Sequence, residues 1–176
     1  MAATRYRVTS GSLTVQARSK IHDTTTVWSK VSGDITADPD ATPEALAAVG
    51  PAGTQARFEV DMTAFDAGDF LQNRKLRKDF DLEGHPRASF SLTALETVVR
   101  TGATFTATAR GTLEWRGKRV ELTLAGRGTL DGMRVEATAS FELDIRRLGL
   151  SAPRFLMFKV EDEVTIAVAI RAAVAP

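Results

Sequence analysis

The sequence predicts an all-β fold, an antiparallel sheet closed into a barrel with one or two short helices, and three observations carry this expectation. First, three consecutive segments, Thr104–Trp115, Arg119–Leu130 and Arg134–Ile145, alternate strictly between apolar and polar residues. Strand side chains point to opposite faces in turn, so one side of this sheet meets a core and the other meets water. Second, Gly117-Lys118 and Asp131-Gly132 stand between those segments, and such pairs reverse a chain tightly enough to make its neighbours antiparallel. Third, the rest of the chain supplies further alternating runs, roughly eight or nine strands in all with mostly short connections. Closing the sheet removes the exposed edges that invite aggregation.

Taken in order, Tyr6–Ser10 and Leu13–Ile21 alternate, the second with Leu13, Val15, Ala17 and Ile21 on one face. Thr24–Thr36 follows as a strand-forming run in which Val27, Val31 and Ile35 share a phase while Trp28 falls in the other, so one end is covered on both sides. A short surface helix is expected over Pro43–Val49. There Thr42 can cap, Pro43 suits the first helical position, Glu44 favours the positive end and Gly50 can terminate. Arg57–Met62 returns to alternation with Phe58, Val60 and Met62. Asp66–Phe80 loses it, setting Phe70, Leu71 and Leu76 among Arg74, Lys75, Arg77 and Lys78, as suits a short helix or ordered crossover lying on the barrel. Ala88–Ala94 is a strand with Phe90 and Leu92 inward, and the three opening strands come next. Arg146–Phe158, with Gly149 and Pro153, reads as irregular, and Val164, Ile166, Val168 and Ile170 mark the last strand.

The inward phase of the three opening strands is unevenly filled. It reads Phe105, Ala107, Ala109, Gly111, Leu113, Trp115, then Val120, Leu122, Leu124, Gly126, Gly128, Leu130, then Val135, Ala137, Ala139, Phe141, Leu143, Ile145. A turn centred on Gly117-Lys118 would set Trp115 beside Val120, Gly111 beside Leu124 and Ala109 beside Gly126. A turn centred on Asp131-Gly132 would set Val135 beside Gly128 and Ala137 beside Gly126. Small then meets small across all three strands. The Trp115, Leu113, Leu122, Phe141 and Leu143 end is plugged, whereas the level of Ala107, Ala109, Gly126, Gly128 and Ala137 is left hollow. An apolar void of this kind is the usual shape of a small-molecule site. The competing reading is that these small residues mark a sharply bent wall, or the seat of an aromatic ring from another strand.

Bulk properties narrow the field. At 176 residues, 43% hydrophobic and 26% charged, the chain has the size and composition of one globular domain spanning its whole length. A net charge of +1 gives no global reason to bind nucleic acid or an anionic membrane. The absence of cysteine excludes disulfides, thiolate metal sites and cysteine nucleophiles. No apolar run is long enough for a helical membrane span, and no signal-peptide core stands at the amino terminus, so a cytoplasmic location is expected.

Candidates for chemistry are few. The chain has two histidines. His22 adjoins Asp23, but consecutive strand residues face opposite ways, so the two are poorly placed as a base and its orienting carboxylate. His85-Pro86 suits the turn before a strand, and no ligand spacing links the histidines into a metal site. Gly126-Arg127-Gly128 lies within a strand with no helix after it, unlike a phosphate-binding loop. The basic group Arg74, Lys75, Arg77 and Lys78 reads as a solvated face balanced by Asp66, Asp69, Asp79, Asp81 and Glu83. Its functional reading puts one or two cations at the cavity mouth.

The order of features resembles the YceI-like family of lipocalin-like, lipid-binding barrels over nearly the whole chain. The resemblance is carried by Trp28-Ser29-Lys30-Val31-Ser32-Gly33-Asp34-Ile35, Asn73-Arg74-Lys75-Leu76, Asp79-Phe80-Asp81, Pro86 and Phe90. It continues through Gly111-Thr112-Leu113, Gly117, Val120-Glu121-Leu122, Leu148-Gly149-Leu150 and the final Val164–Ala172 strand. Three features depart from the family pattern: the missing leader, Gly117-Lys118-Arg119-Val120 without the usual Thr and Pro, and His85 where an aromatic is common. The resemblance implies an eight-stranded antiparallel lipocalin-like barrel, often a homodimer, that encloses a polyisoprenoid, a quinone tail or another lipid such as a fatty acid. It implies no enzyme activity and no further cofactor.

Together these readings predict a non-enzymatic binder of an elongated hydrophobic molecule, acting without nucleic acid and without spanning a membrane. The lining is expected from Phe58 and Val60, Phe90, Phe105 and Ala109, Leu124 and Gly126, Ala137, Ala139 and Phe141, and Ile166 and Val168. The alternatives are a structural or protein-interaction barrel with a filled interior, and a hydrolase or isomerase using His22.

Overall fold

A computed structural model describes residues 3–19, 23–151, 154–155 and 158–176, with backbone alone for 154–155 and 158–160. The strands are β1 (Thr4–Ser19), β2 (Thr24–Trp28), β3 (Val31–Ala37), β4 (Gln55–Asp61), β5 (Phe65–Asp66), β6 (Arg87–Thr101), β7 (Thr104–Trp115), β8 (Lys118–Leu130), β9 (Arg134–Asp144), β10 (Arg154–Phe155) and β11 (Phe158–Val174). Two α-helices, α1 (Pro43–Leu46) and α2 (Phe70–Asp79), and a 3-10 turn at Ile145–Leu148 complete the chain. Eight strands close in the order β1-β3-β4-β6-β7-β8-β9-β11, with β11 returning to β1. Every pairing is antiparallel. β2 and β5 extend the wall beside β1, and β10 forms a short ribbon on β11.

Over the described residues the two alternating runs at the amino terminus join in the single strand β1, while Lys20 and Ile21 of the second run lie outside the described residues. The first residues of β1 pair with β3 and its second half with β2, so β2 and β3 act as one partner interrupted at Ser29-Lys30. Trp28 is buried, and its indole Nε1 donates to the Met62 carbonyl at 3.1 Å. In α1, the Thr42 hydroxyl accepts from the Ala45 amide at 3.2 Å, and Leu46 is buried. The helix stops three residues before the expected Val49. The Thr54 amide donates to the Ala48 carbonyl at 2.9 Å, and Val49 bridges to Thr54, which pulls the chain out of helical geometry. In α2, the Asp69 carboxylate caps the Gln72 amide at 2.8 Å, and Arg77 and Lys78 occupy the favoured last turn.

Both central hairpins keep the expected inward face but differ in register by two residues. Trp115 stands opposite Lys118, not Val120, because the turn is centred on Arg116-Gly117, with φ of 57° and 72°. A two-residue turn of this hand requires positive φ at both central positions and favours glycine at the second, which draws Arg116 into the first. Leu130 stands opposite Val135, with Gly132-Met133 central. The Asp131 carboxylate accepts from the Met133 amide at 2.7 Å and the Arg134 amide at 2.8 Å, which holds Asp131 at the first corner. A shift of two preserves the face but moves the levels. Ala107 now meets Gly126, which meets Ala139, while Phe105 meets Gly128, which meets Ala137.

The ends of the barrel differ. At one, Trp28, Met62, Leu76, Leu82, Trp115, Leu122, Leu143 and Leu148 belong to a large buried cluster reinforced by α2 and the 3-10 turn. At the other, a smaller cluster of Tyr6, Ala37, Leu46, Leu130, Val135 and Ala172 closes the barrel beneath α1. Arg100 fastens this second end, its guanidinium donating to the carbonyls of Ala41, Gly102 and Leu130 at 3.3, 2.9 and 3.0 Å.

Candidate ligand cavity

Between the two clusters lies a cavity of about 300 Å³, at the small end of ligand pockets, which run from roughly 300 to 1,000 Å³. Phe58 and Val60 line it from β4, and Phe90 from β6. Phe105 and Ala109 face it from β7, Leu124 and Gly126 from β8, and Ala137, Ala139 and Phe141 from β9. Ile166 and Val168 of β11 complete the set, so all twelve residues named from the sequence stand on its wall. Leu113, expected in the plug, instead lines the cavity, as Phe141 does. Trp115, Leu122 and Leu143 lie in the closed core.

The inward glycines have three different reasons. At Gly126 an added methyl would find nothing nearer than the Ala107 carbonyl oxygen at 3.7 Å and the Thr138 oxygen at 3.8 Å, so its missing side chain is empty space. At Gly128 a methyl would collide with the Glu136 carbonyl and lie 2.9 Å from the Ala137 Cα. There the strands approach too closely for a side chain, and Gly128 does not line the cavity. Gly111 seats an aromatic ring, since a methyl there would collide with Phe90. The hollow level is therefore Ala107, Gly126 and Ala139; the ring-seat reading holds at Gly111, and at Gly128 the reason is instead the close approach of β9.

Several lining residues lay outside the named set. Leu13, Val31 and Ile35 line the cavity and already stood out by alternation. Leu95 and Val98 carried no such signal, because β6 loses register between Leu92 and Ala94 and again between Glu96 and Val99. The second irregularity holds Thr97 at φ 51° and turns Val98 inward while Val99 faces solvent. Leu46 reaches the cavity from α1, a position no strand period can reveal.

Thr54, Ser89, Arg127 and Thr138 are the polar residues among the lining. Tyr6 is fully buried at the α1 end, where its hydroxyl donates to the Asp131 carbonyl at 2.6 Å and burial raises its pKa. The basic group of α2 lies away from the cavity wall. Lys75 pairs with Asp79 at 2.9 Å and Arg77 with Glu83 at 3.5 Å, and the Arg77 guanidinium also covers Phe65. His85 sits in the turn before β6 with Nε2 4.0 Å from the Asp81 carboxylate. His22 lies outside the described residues. Among the described residues no helix is long and apolar enough to cross a membrane.

The sequence profile of the YceI-like domain matches residues 6–172. Among solved structures the chain is similar to Burkholderia cenocepacia BcnA, with 20% identity, a TM-score of 0.70, and coverage of 92% of this chain and 95% of that one. It is also similar to a polyisoprenoid binding domain from Saccharophagus degradans implicated in plant cell wall breakdown, with 13% identity, a TM-score of 0.71, and coverage of 97% and 98%. The YceI protein of Campylobacter jejuni gives 13% identity, a TM-score of 0.63, and coverage of 86% and 85%. No curated protein matches the chain significantly.

Proposed function

The chain belongs to the YceI-like domain family, and from that premise we propose that it binds the apolar tail of an elongated lipid, such as a polyisoprenoid, a quinone or a fatty acid, without catalysing a reaction. The observation that carries this reading is the unfilled position at Gly126. A strand residue whose side chain would be free to fill a core is left as hydrogen, at the level where Ala107 and Ala139 are also small. A barrel whose role was only structural would gain from filling that space, since each buried methylene contributes roughly 0.8 kcal/mol. Among the described residues the lining offers no clustered acid, base or nucleophile, so attraction comes from burial of hydrocarbon. The homodimer implied by the family remains part of the proposal, with sedimentation of the purified chain as its measurement.

Organic extraction of freshly purified protein followed by mass spectrometry tests the reading. A long-chain apolar compound in near-stoichiometric amount is the expected result for the native chain. Gly126→Phe and Ala137→Trp, which fill the lumen from two strands, should release it while the β-sheet circular dichroism stays unchanged. Equal lipid retention by folded forms of both variants would remove the cavity as the binding site.

A further inference from the structure

Phe90 enters the barrel from β6 beside Phe58 of β4, with the rings stacked at a centroid distance of 6.5 Å and an interplanar angle of 11°. Leu113 of β7 is its cross-strand partner, and Gly111 stands one inward position further along the same strand, opposite Leu92. A methyl at Gly111 would collide with the Cζ and Cε2 atoms of Phe90 and would approach the Ser91 carbonyl oxygen to 2.7 Å. The Phe90 ring therefore lies against bare backbone of β7. Leu113 stands level with the ring, and one inward position nearer the closed Trp115 end Val60 pairs with Ala88, both lining the cavity as a recess next to the ring.

We propose that Phe90, seated on Gly111, is the specificity-determining residue that fixes how far an apolar tail descends into the barrel. The proposal deepens the tail-binding reading and rests on it. With glycine at 111 the ring lies along the wall and leaves the recess open. A larger residue there must swing the ring across the lumen and seal what lies beneath. The wall at this depth is almost wholly hydrocarbon, so discrimination is by length and bulk, and each additional methylene accommodated tightens binding about fourfold. Past the limiting length the extra carbons stay in water and the gain stops.

The test is a homologous series of straight-chain saturated fatty acids, each titrated onto delipidated full-length protein and read by native mass spectrometry. The wild type should gain about fourfold per methylene up to a limiting length. In Phe90→Ala that limit should move out by about two carbons or more, with the same slope per methylene. Gly111→Ala should shorten it, and the shortening should vanish in the Phe90→Ala background, where no ring remains to be displaced. Because the new methyl also approaches the Ser91 carbonyl, Phe90→Ala decides the matter if Gly111→Ala fails to fold. An unchanged limit in Phe90→Ala overturns the proposal. A wild type that holds no member of the series overturns the tail-binding reading itself, a result distinct from an unmoved limit.

Discussion

Single residues set both the hollow and its cost. Gly126, Gly128 and Gly111 look alike in the sequence, yet one leaves space, one lets two strands touch and one seats a ring. Only an environment of neighbouring strands separates the three. Thr97 is the opposite case, a β-branched residue held at φ 51° by the irregularity in β6. Such a side chain is disfavoured in the left-handed region, where glycine is free of the Cβ penalty. Thr97→Gly should therefore raise stability by about 1 kcal/mol, net of the extra freedom it gives the unfolded chain. Urea denaturation reads this as a higher midpoint at unchanged slope. A lower midpoint would mean that the Thr97 side chain supplies packing that outweighs the backbone relief.

At the scale of elements, carboxylates stand at both ends of β9. Asp131 places the β8–β9 turn, and Asp144 closes β9 by capping the 3-10 turn, accepting from the Arg146 amide at 3.0 Å and from its guanidinium Nη2 at 2.6 Å. These contacts hold the Asp144 pKa down, to about 2, with the Arg146 side-chain hydrogen bond the largest cause. A carboxylate depressed in the folded state contributes stability that is complete above its unfolded pKa near 4 and disappears as pH falls through its folded value. The corner Asp131 and the Arg5-paired Asp34 are shifted in the same direction. Stability should thus be level above about pH 4 and decline between about pH 4 and 2. Asp144→Asn should be less stable at neutral pH and show a shallower decline through that window. Denaturant midpoints measured across the acid range give the comparison, and identical profiles for the two proteins would deny Asp144 this role.

For the molecule as a whole, closure of eight strands leaves a choice between filling the interior and binding something in it. This barrel fills one end with a large cluster and leaves a cavity of about 300 Å³ behind the small cluster under α1. Van der Waals contacts absent from an empty lumen are restored by an occupant, and a ligand that binds only the folded state stabilises it by mass action. Delipidation should lower Tm, and adding back the extracted compound should restore it in proportion to the logarithm of its concentration. A Tm indifferent to extraction and add-back would place any co-purifying lipid outside the lumen.

How much of this was legible in the sequence follows from the range of the forces involved. Alternation in β4, β6, β7, β8, β9 and β11 depends on neighbours two residues apart, so the strands, their inward faces and twelve of the wall residues could be read from the chain directly. Register depends on which turn residue takes positive φ and which backbone amides a carboxylate reaches, and the two-residue shift at Arg116-Gly117 and Gly132-Met133 was settled only by that local geometry. The irregularities in β6 break the period that a sequence reading relies on, which hid Leu95 and Val98. The sequence alone determined a closed antiparallel sheet with a crowded end and a sparse one, because polarity and side-chain volume are properties of each residue. Which small residues face empty space was decided by the tertiary structure, because a void is a property of everything that surrounds it.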